Sequence, residues 1–284
     1  MEAYVMDAFS AQIFGGNQAG VVLPDRELSD AVMQQIAGEF KHSETAFVHV
    51  EDDGSVTLRY FTPAGEVDLC GHATIASFAL LRQLGKIGDG ICTAHTKAAE
   101  LSIEVSGDTV WMEMAPPKVL RTLECCEVDD LYSAYGLSYS DKPEDMEPKI
   151  VSTGLADIMM PVNDHDTLMR AVQNEQAVTE ISRHYDCTGV HMFCLGDSCT
   201  AYCSNYAPLY DIPEECATGT SNGALTYYLS QYGIVKEGEE NVFVQGEHMN
   251  RPSEIRSRLT VKDGEPMVLI GGRAVMSLAC DLKI

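Results

Sequence analysis

The sequence predicts a mixed α/β (α+β) protein of two pseudo-symmetric lobes. Each lobe is a curved mixed sheet wrapped around a central buried helix; an active site between the lobes follows if the two face each other. Three observations carry this. Short β-branched runs alternate with a few helical patterns along the chain. Two segments, Gly71–Leu84 and Gly219–Tyr232, read as helices; the first has no charge before Arg82 and the second has none, so both should be buried on most sides. Sliding the chain by about 148 positions sets Cys70-Gly71 on Thr218-Gly219 and Leu81 on Leu229, an internal repeat.

The elements follow in order. Ser29–Phe40 is an amphipathic helix: Ser29 caps it, and Val32, Met33, Ile36, Ala37 and Phe40 share a face. Thr45–Val50, Thr57–Phe61, Leu101–Val105 and Val110–Met114 read as strands, with turns at Asp53-Gly54 and Gly107-Asp108. The acid-rich stretch from Pro116-Pro117 to Pro148 reads as a domain connection. Val190–Leu195 and Ser198–Cys203 form a hairpin about Gly196-Asp197, which sets Cys194 opposite Cys199. Met267–Ile270 is a strand, and after a Gly271-Gly272 turn Ala274–Ala279 returns to the first lobe. The first lobe then comprises residues 1–115 plus about 270–284, and the second 118–268. Gly85 and Gly233 follow these two buried helices as C-caps.

Composition excludes several classes. Nineteen Lys+Arg against 43 Asp+Glu give a net charge of −24 over 284 residues, which argues against nucleic acid or an anionic membrane as partner. There is no apolar run of membrane-spanning length and no basic, then apolar, leader at the start, so the chain reads as cytoplasmic. The ten cysteines contain no CxxC and are then reduced, packed thiols; neither they nor the eight histidines show zinc spacing, so no metal is expected.

If the lobes face each other, amides of Gly71, His72, Gly219 and Thr220 at two helix N-termini make an anion site suited to a small carboxylate. Nearby reactive candidates are Glu44, Cys70, His72, Glu215, Cys216 and Thr220. Glu44, at the entry to an apolar strand, is either an exposed cap-like residue or a partly buried general base. His72 at a helix N-terminus should resist protonation; it is either a neutral proton relay or simply a capping histidine.

These residues carry a resemblance. Asp7-Ala8-Phe9, Gly16-Asn17-Gln18-Ala19-Gly20, Ser43-Glu44-Thr45-Ala46-Phe47, Arg59-Tyr60-Phe61-Thr62-Pro63 and the block from Glu66 to Thr74 match the PhzF-like (phenazine-biosynthesis isomerase) family. The match returns at Ala217-Thr218-Gly219-Thr220, Asn222-Gly223-Ala224-Leu225, Gln245-Gly246, Arg251-Pro252-Ser253 and Gly271-Gly272. The resemblance implies the diaminopimelate-epimerase-like fold, no cofactor, Glu44 as the proton-transferring carboxylate, and Gly71 and His72 lining the site. Where the family usually reads Glu-Asp-Pro-Ala-Thr-Gly-Ser, this chain has Glu214-Glu215-Cys216-Ala217-Thr218-Gly219-Thr220. Glu215 keeps the acid with one more methylene, and Cys216 releases a backbone that proline would fix.

The expected activity is a cofactor-independent double-bond shift on a small carboxylate, with Glu44, His72 and Glu215 as catalytic residues. Gly71, His72, Gly219 and Thr220 bind the substrate, and a homodimer is the default assembly. Two alternatives stand beside it. One is a two-base amino-acid racemase or epimerase using Cys70, whose second thiol would fall at Thr218; the other is a non-catalytic small-acid binder.

Overall fold

The computed structural model describes residues 1–284, and the chain divides into two compact units, Met1–Glu113 with Gly271–Ile284, and Met114–Ile270. In the first unit β1 (Glu2–Ala8) pairs antiparallel with β2 (Asn17–Leu23). Helix α1 (Asp30–Phe40) then carries the chain to β3 (Glu44–Val50), parallel to β2. Ser29 caps α1 by accepting from the Val32 amide, and Met33, Ile36 and Ala37 bury against Ala3, Val22, Phe47 and Phe61 of the sheet. β4 (Val56–Phe61) is antiparallel to β3, and the two-residue β5 (Glu66–Val67) pairs back on β4.

Next comes α2 (Gly71–Gln83), buried without interruption from His72 to Leu81. Its low charge is thereby explained, since a polar face would have had no water to meet. Gly85, at φ +69°, closes it: the Gly85 amide bonds the Arg82 carbonyl and the Lys86 amide the Leu81 carbonyl. β6 (Gly90–His95) lies parallel to β4, and β7 (Glu100–Ser106) and β8 (Thr109–Glu113) continue antiparallel. Helix α2 packs on β1, β2, β3 and β8.

The second unit opens with β9 (Lys118–Thr122) and α3 (Cys125–Ser133). The stretch read as a connection is therefore folded. Val128, Leu131, Tyr132 and Tyr135 recur at helical spacing and bury in this unit's core, a signal that the surrounding acids masked. β10 (Lys149–Ser152) pairs antiparallel with β9 and with β11 (Ala156–Pro161). Helices α4 (His165–Arg170) and α5 (Glu175–Tyr185) lead to β12 (Gly189–Leu195), parallel to β11. β13 (Ala201–Ala207) is antiparallel to β12, and β14 (Ile212–Glu215) pairs on β13.

The hairpin exists with a different register. Cys194 faces Tyr202, not Cys199, because Gly196 to Thr200 form a longer loop in which the Thr200 amide bonds the Val242 carbonyl. Helix α6 (Gly219–Ser230) follows, almost wholly buried and closed at Gly233 in the manner of Gly85. β15 (Glu240–Gln245) runs parallel to β13, β16 (Ser253–Lys262) pairs antiparallel with β15, and β17 (Glu265–Gly272) comes next.

β18 (Ala274–Asp281) then pairs with β1 in the first unit. Gly271 and Gly272 end a strand rather than form a turn. A Cβ on Gly271 would lie 2.4 Å from the Trp111 ring and one on Gly272 2.4 Å from the Phe9 ring, so these glycines admit two aromatic faces. All ten cysteines are free, but only Cys70, Cys187, Cys194, Cys203 and Cys216 are buried; Cys125, Cys126 and Cys280 are exposed. The expectation of packed thiols fails for those three because they sit on the outer turn of α3 and the outer part of β18. No helix is long and apolar enough to cross a membrane.

Gly189 gives a direct test of the packing. A Cβ there would stand 1.9 Å from the Tyr206 carbonyl oxygen, whereas one on Gly38, inside α1, would meet nothing within 4 Å. Chemical denaturation should show Gly189→Ala destabilised by about 3 kcal/mol or more. Gly38→Ala should gain roughly 0.5–1 kcal/mol from helix propensity.

Candidate active site

The start of β3 and the start of α2 together build the site in the first unit. Cys70, extended at φ −142°, is the N-cap residue and makes no side-chain cap bond. The first turn of α2 thus keeps amide groups without an intrahelical partner, at Gly71 and His72 among others. His72 Nε2 lies 3.2 Å from Glu44 Oε2 and 3.4 Å from Ser43 Oγ. Its Nδ1 lies 3.5 Å from Cys70 Sγ and 3.4 Å from Asn17 Nδ2; a protonated Nδ1 requires the Asn17 carboxamide to present its oxygen here instead. His72 is 7% and Glu44 20% exposed at the side chain, so the contact is largely dry. Glu44 Oε2 is buried with no well-aligned donor; the histidine meets it as an ion pair off the hydrogen-bond line.

Burial alone would raise the Glu44 carboxyl, but bonds and charge from His72, with Ser43 and Cys70 assisting, hold it below the ordinary glutamate value. Burial would lower His72; the facing Cys70 and Glu44 overcome it and hold the imidazole well above its ordinary value. That direction corrects the expectation that the helix dipole keeps His72 neutral. The dipole's half charge acts from the helix end, while a full carboxylate charge lies 3.2 Å away in a medium of low polarity. Burial raises the Cys70 thiol despite the His72 charge beside it, which keeps it protonated at neutral pH; with the sulfur neutral, the charge that raises His72 there is the Glu44 carboxylate.

Glu44, Cys70 and His72 each offer a ligand atom within 4.8 Å of the others, so the reading that Cys and His do not cluster was too narrow. Sequence spacing could not reveal this, because Glu44 reaches the pair only through the pairing of β3 into the sheet. Three such donors could hold a single borderline cation with an open position, and all three are already paired with one another.

The remaining candidates lie in the second unit with different partners. Thr218, the N-cap of α6, donates its hydroxyl to Glu215 Oε2 at 2.8 Å. Gln245 Nε2 donates to the Glu215 carbonyl at 2.6 Å and to Thr218 Oγ1 at 3.1 Å. Cys216 is buried, and its carbonyl accepts from Ser253 Oγ at 2.6 Å. The Thr220 carbonyl accepts from Thr153 Oγ1 at 2.8 Å, and Gly219 is buried at the first position of α6. Sequence reading missed Asp157, His191 and Asn205 as polar residues of this unit's interior; the available signal was a histidine inside an apolar strand.

A sheet enclosing a buried helix, with a carboxylate and an imidazole joined at the helix start, defines a protein of mixed α/β fold with a candidate acid–base site. Known proteins place it further. The family model for "Phenazine biosynthesis-like protein" matches residues 6–279. The "Uncharacterized isomerase YddE" of Escherichia coli (strain K12) is 32% identical over 286 residues, covering 97% of this chain and 96% of its own. The structure of a PhzF-family phenazine biosynthesis protein from Bacillus anthracis superposes with a TM-score of 0.89 at 25% identity, over 100% of this chain and 99% of that one. A probable proline racemase from Agrobacterium radiobacter shares the fold, with a TM-score of 0.63 at 11% identity over 100% of this chain and 93% of its own.

The chain belongs to the PhzF (phenazine biosynthesis-like) family, and it is an isomerase of that type.

The ion pair makes stability depend on pH in a defined sense. Glu44 is lowered, so its contribution is complete above the unfolded value of 4.5 and fades as pH falls through the folded value. His72 is raised, so its contribution is complete below the unfolded value of 6.5 and fades as pH rises through the folded value. Thermal unfolding of wild type against His72→Asn should show a flat wild-type advantage from pH 4.5 to 6.5 that shrinks on both sides. An advantage that grew with rising pH would mean the histidine is neutral.

Proposed function

We propose that the protein catalyses a cofactor-independent double-bond shift on a small carboxylate, with Glu44 as the proton carrier. The observation behind this is the buried Glu44–His72 pair, in which Glu44 Oε2 has no well-aligned donor and is open to a proton. Glu44 removes a proton from a carbon conjugated with the substrate carboxylate. The electron pair moves into the conjugated system, and the protonated Glu44 returns the proton at the far end. One base acting twice balances the reaction. Charge that gathers on the substrate carboxylate is met by the His72 imidazolium and the Gly71 and His72 amides, an arrangement set before the substrate arrives.

In the second unit, Gly219 and Thr220 at the first turn of α6 are the further anion-binding residues, and Glu215 orients the substrate. The two units read as copies, residues 1–115 with about 270–284 and residues 118–268. A homodimer in the cytoplasm, free of nucleic acid and membrane, belongs to the same proposal.

The racemase alternative needs two thiols. Burial keeps Cys70 protonated, and the corresponding Thr218 commits its hydroxyl to Glu215. Moreover, Gly189 stands at the start of β12 where Glu44 starts β3, and the Tyr206 carbonyl leaves no room there for any side chain. A single carboxylate base is what remains.

The reading is tested by incubating small unsaturated and hydroxy acids with the enzyme in D2O and following deuterium uptake by NMR. Turnover of the responding acid should fall ~10²–10⁴-fold in Glu44→Gln with little change in binding. Glu215→Gln should cost less, and Cys70→Ser little. A Cys70→Ser variant as inactive as Glu44→Gln would move the assignment to thiol chemistry. Exhaustive chelation should leave activity intact; activity that tracks stoichiometric metal at Glu44, Cys70 and His72 would contradict the cofactor-free reading.

A further inference from the structure

Glu44, Cys70 and His72 come from separate elements, yet their donor atoms stand at the spacing of a metal's ligands. His72 Nε2 lies 3.2 Å from Glu44 Oε2 and 3.8 Å from Cys70 Sγ, and one donor atom from each residue lies within 4.8 Å of the others. Around a tetrahedral zinc ion, a nitrogen and an oxygen ligand stand about 3.4 Å apart, and a nitrogen and a sulfur about 3.6 Å. The two spacings in the structure therefore need only small side-chain adjustments to close on one ion. Sulfur with imidazole also selects among cations, favouring Zn²⁺ over Mg²⁺ or Ca²⁺, which prefer oxygen alone.

The supports of such a site are present as well. Cys70 is the extended residue ahead of α2, and its carbonyl accepts from Thr74 Oγ1 at 2.7 Å, which fixes the backbone that carries the thiol. Glu44 is placed by the parallel pairing of β3, opposite Ala19 of β2. Asn17, two residues before Ala19 and so on the same face of β2, is buried and meets His72 Nδ1 at 3.4 Å. With its carboxamide oxygen turned to the ring, Asn17 accepts from Nδ1–H and leaves Nε2 as the ligand atom, the usual outer support of a metal-bound histidine. Glu44 is 20% exposed at the side chain, so an ion from solvent reaches the donors from the carboxylate's side.

We propose that Glu44 Oε2, Cys70 Sγ and His72 Nε2 form a three-ligand site for Zn²⁺, and that an ion bound there switches the enzyme off by occupying its base. The charge balances. Without metal the three side chains are a carboxylate, an imidazolium and a neutral thiol, with no net charge. Zn²⁺ displaces one proton from Nε2 and one from Sγ to solvent; a carboxylate, a neutral imidazole, a thiolate and the ion again carry no net charge. Binding thus adds no uncompensated charge to a largely dry place. A fourth position on the ion is left for water. That a bound ion inactivates rests on the reading of Glu44 as the proton carrier; that it binds does not.

Cobalt titration of the metal-free, full-length protein tests the site without a substrate. Co²⁺ should give a near-ultraviolet thiolate-to-cobalt charge-transfer band, which Zn²⁺ should erase and Mg²⁺ should not. Cys70→Ser should abolish the band, and Asn17→Leu should weaken cobalt binding ~10–100-fold. The exposed neighbours Cys125 and Cys126 are the competing thiols, and the band should persist when both are changed to Ser. No band, or one that survives Cys70→Ser and vanishes with Cys125 and Cys126, would overturn the proposal. Wild type supplies a reading that depends on no variant: nitrogen-15 NMR should show Zn²⁺ removing the proton from His72 Nε2 and leaving the one on Nδ1. A ring that keeps both protons at saturating Zn²⁺ would overturn the site. Deuterium uptake by the responding acid should fall ~10²-fold or more in the zinc-bound protein, as loss of the base does, and return on chelation. Uptake unchanged by bound zinc would overturn the block. Failure of Glu44→Gln to slow uptake would remove the proposed function and leave the cobalt band in place, so the two ideas fail separately.

Discussion

The structure of the first unit turns on one contact, the 3.2 Å approach of His72 Nε2 to Glu44 Oε2 inside a largely dry site. A carboxylate at that depth survives only if a cation or several donors face it, and an imidazolium at that depth needs a nearby negative charge. Each therefore licenses the other. Fixing their distance requires α2 to begin at Gly71, β3 to begin at Glu44, and the sheet to hold both. The uncharged body of α2, its glycine C-cap and the small residues around Gly271 are the packing that keeps the helix start in place.

The two buried histidines show how environment decides protonation. Both lose solvent and are pushed toward neutrality by it. His72 meets a carboxylate and is raised; His191 meets only neutral amides and is pulled to about 3. One histidine is thus held as a cation beside a carboxylate, and the other as a neutral ring among amides. Asp157, pushed up to about 6 by burial against the pull of Ser221, follows the same rule.

Much of the fold was legible because it is written in local patterns. Ser29 before an apolar stripe, nearly uncharged helices ending at Gly85 and Gly233, and turns at Gly54 and Gly107 are signals whose physics is contained within a few residues. The errors came where tertiary context decides. The acids of residues 116–148 hid the helical spacing of Val128, Leu131, Tyr132 and Tyr135, and the Cys194 register was set by Thr200 bonding to a distant strand. At the site, Glu44, Cys70 and His72 could be nominated singly. Their convergence within 4.8 Å, and the sign of the His72 shift, depend on strand pairing and so could not be read from spacing.

Proton location in the Glu44–His72 pair is the quantity on which the proposed chemistry depends, and nitrogen-15 NMR of the imidazole ring reads it directly. At neutral pH the His72 signals should report both ring nitrogens protonated, and Glu44→Gln should return the ring to the neutral form. A neutral His72 in the wild-type protein at that pH would contradict the ion pair and, with it, the electrostatic basis of the proposed proton transfer.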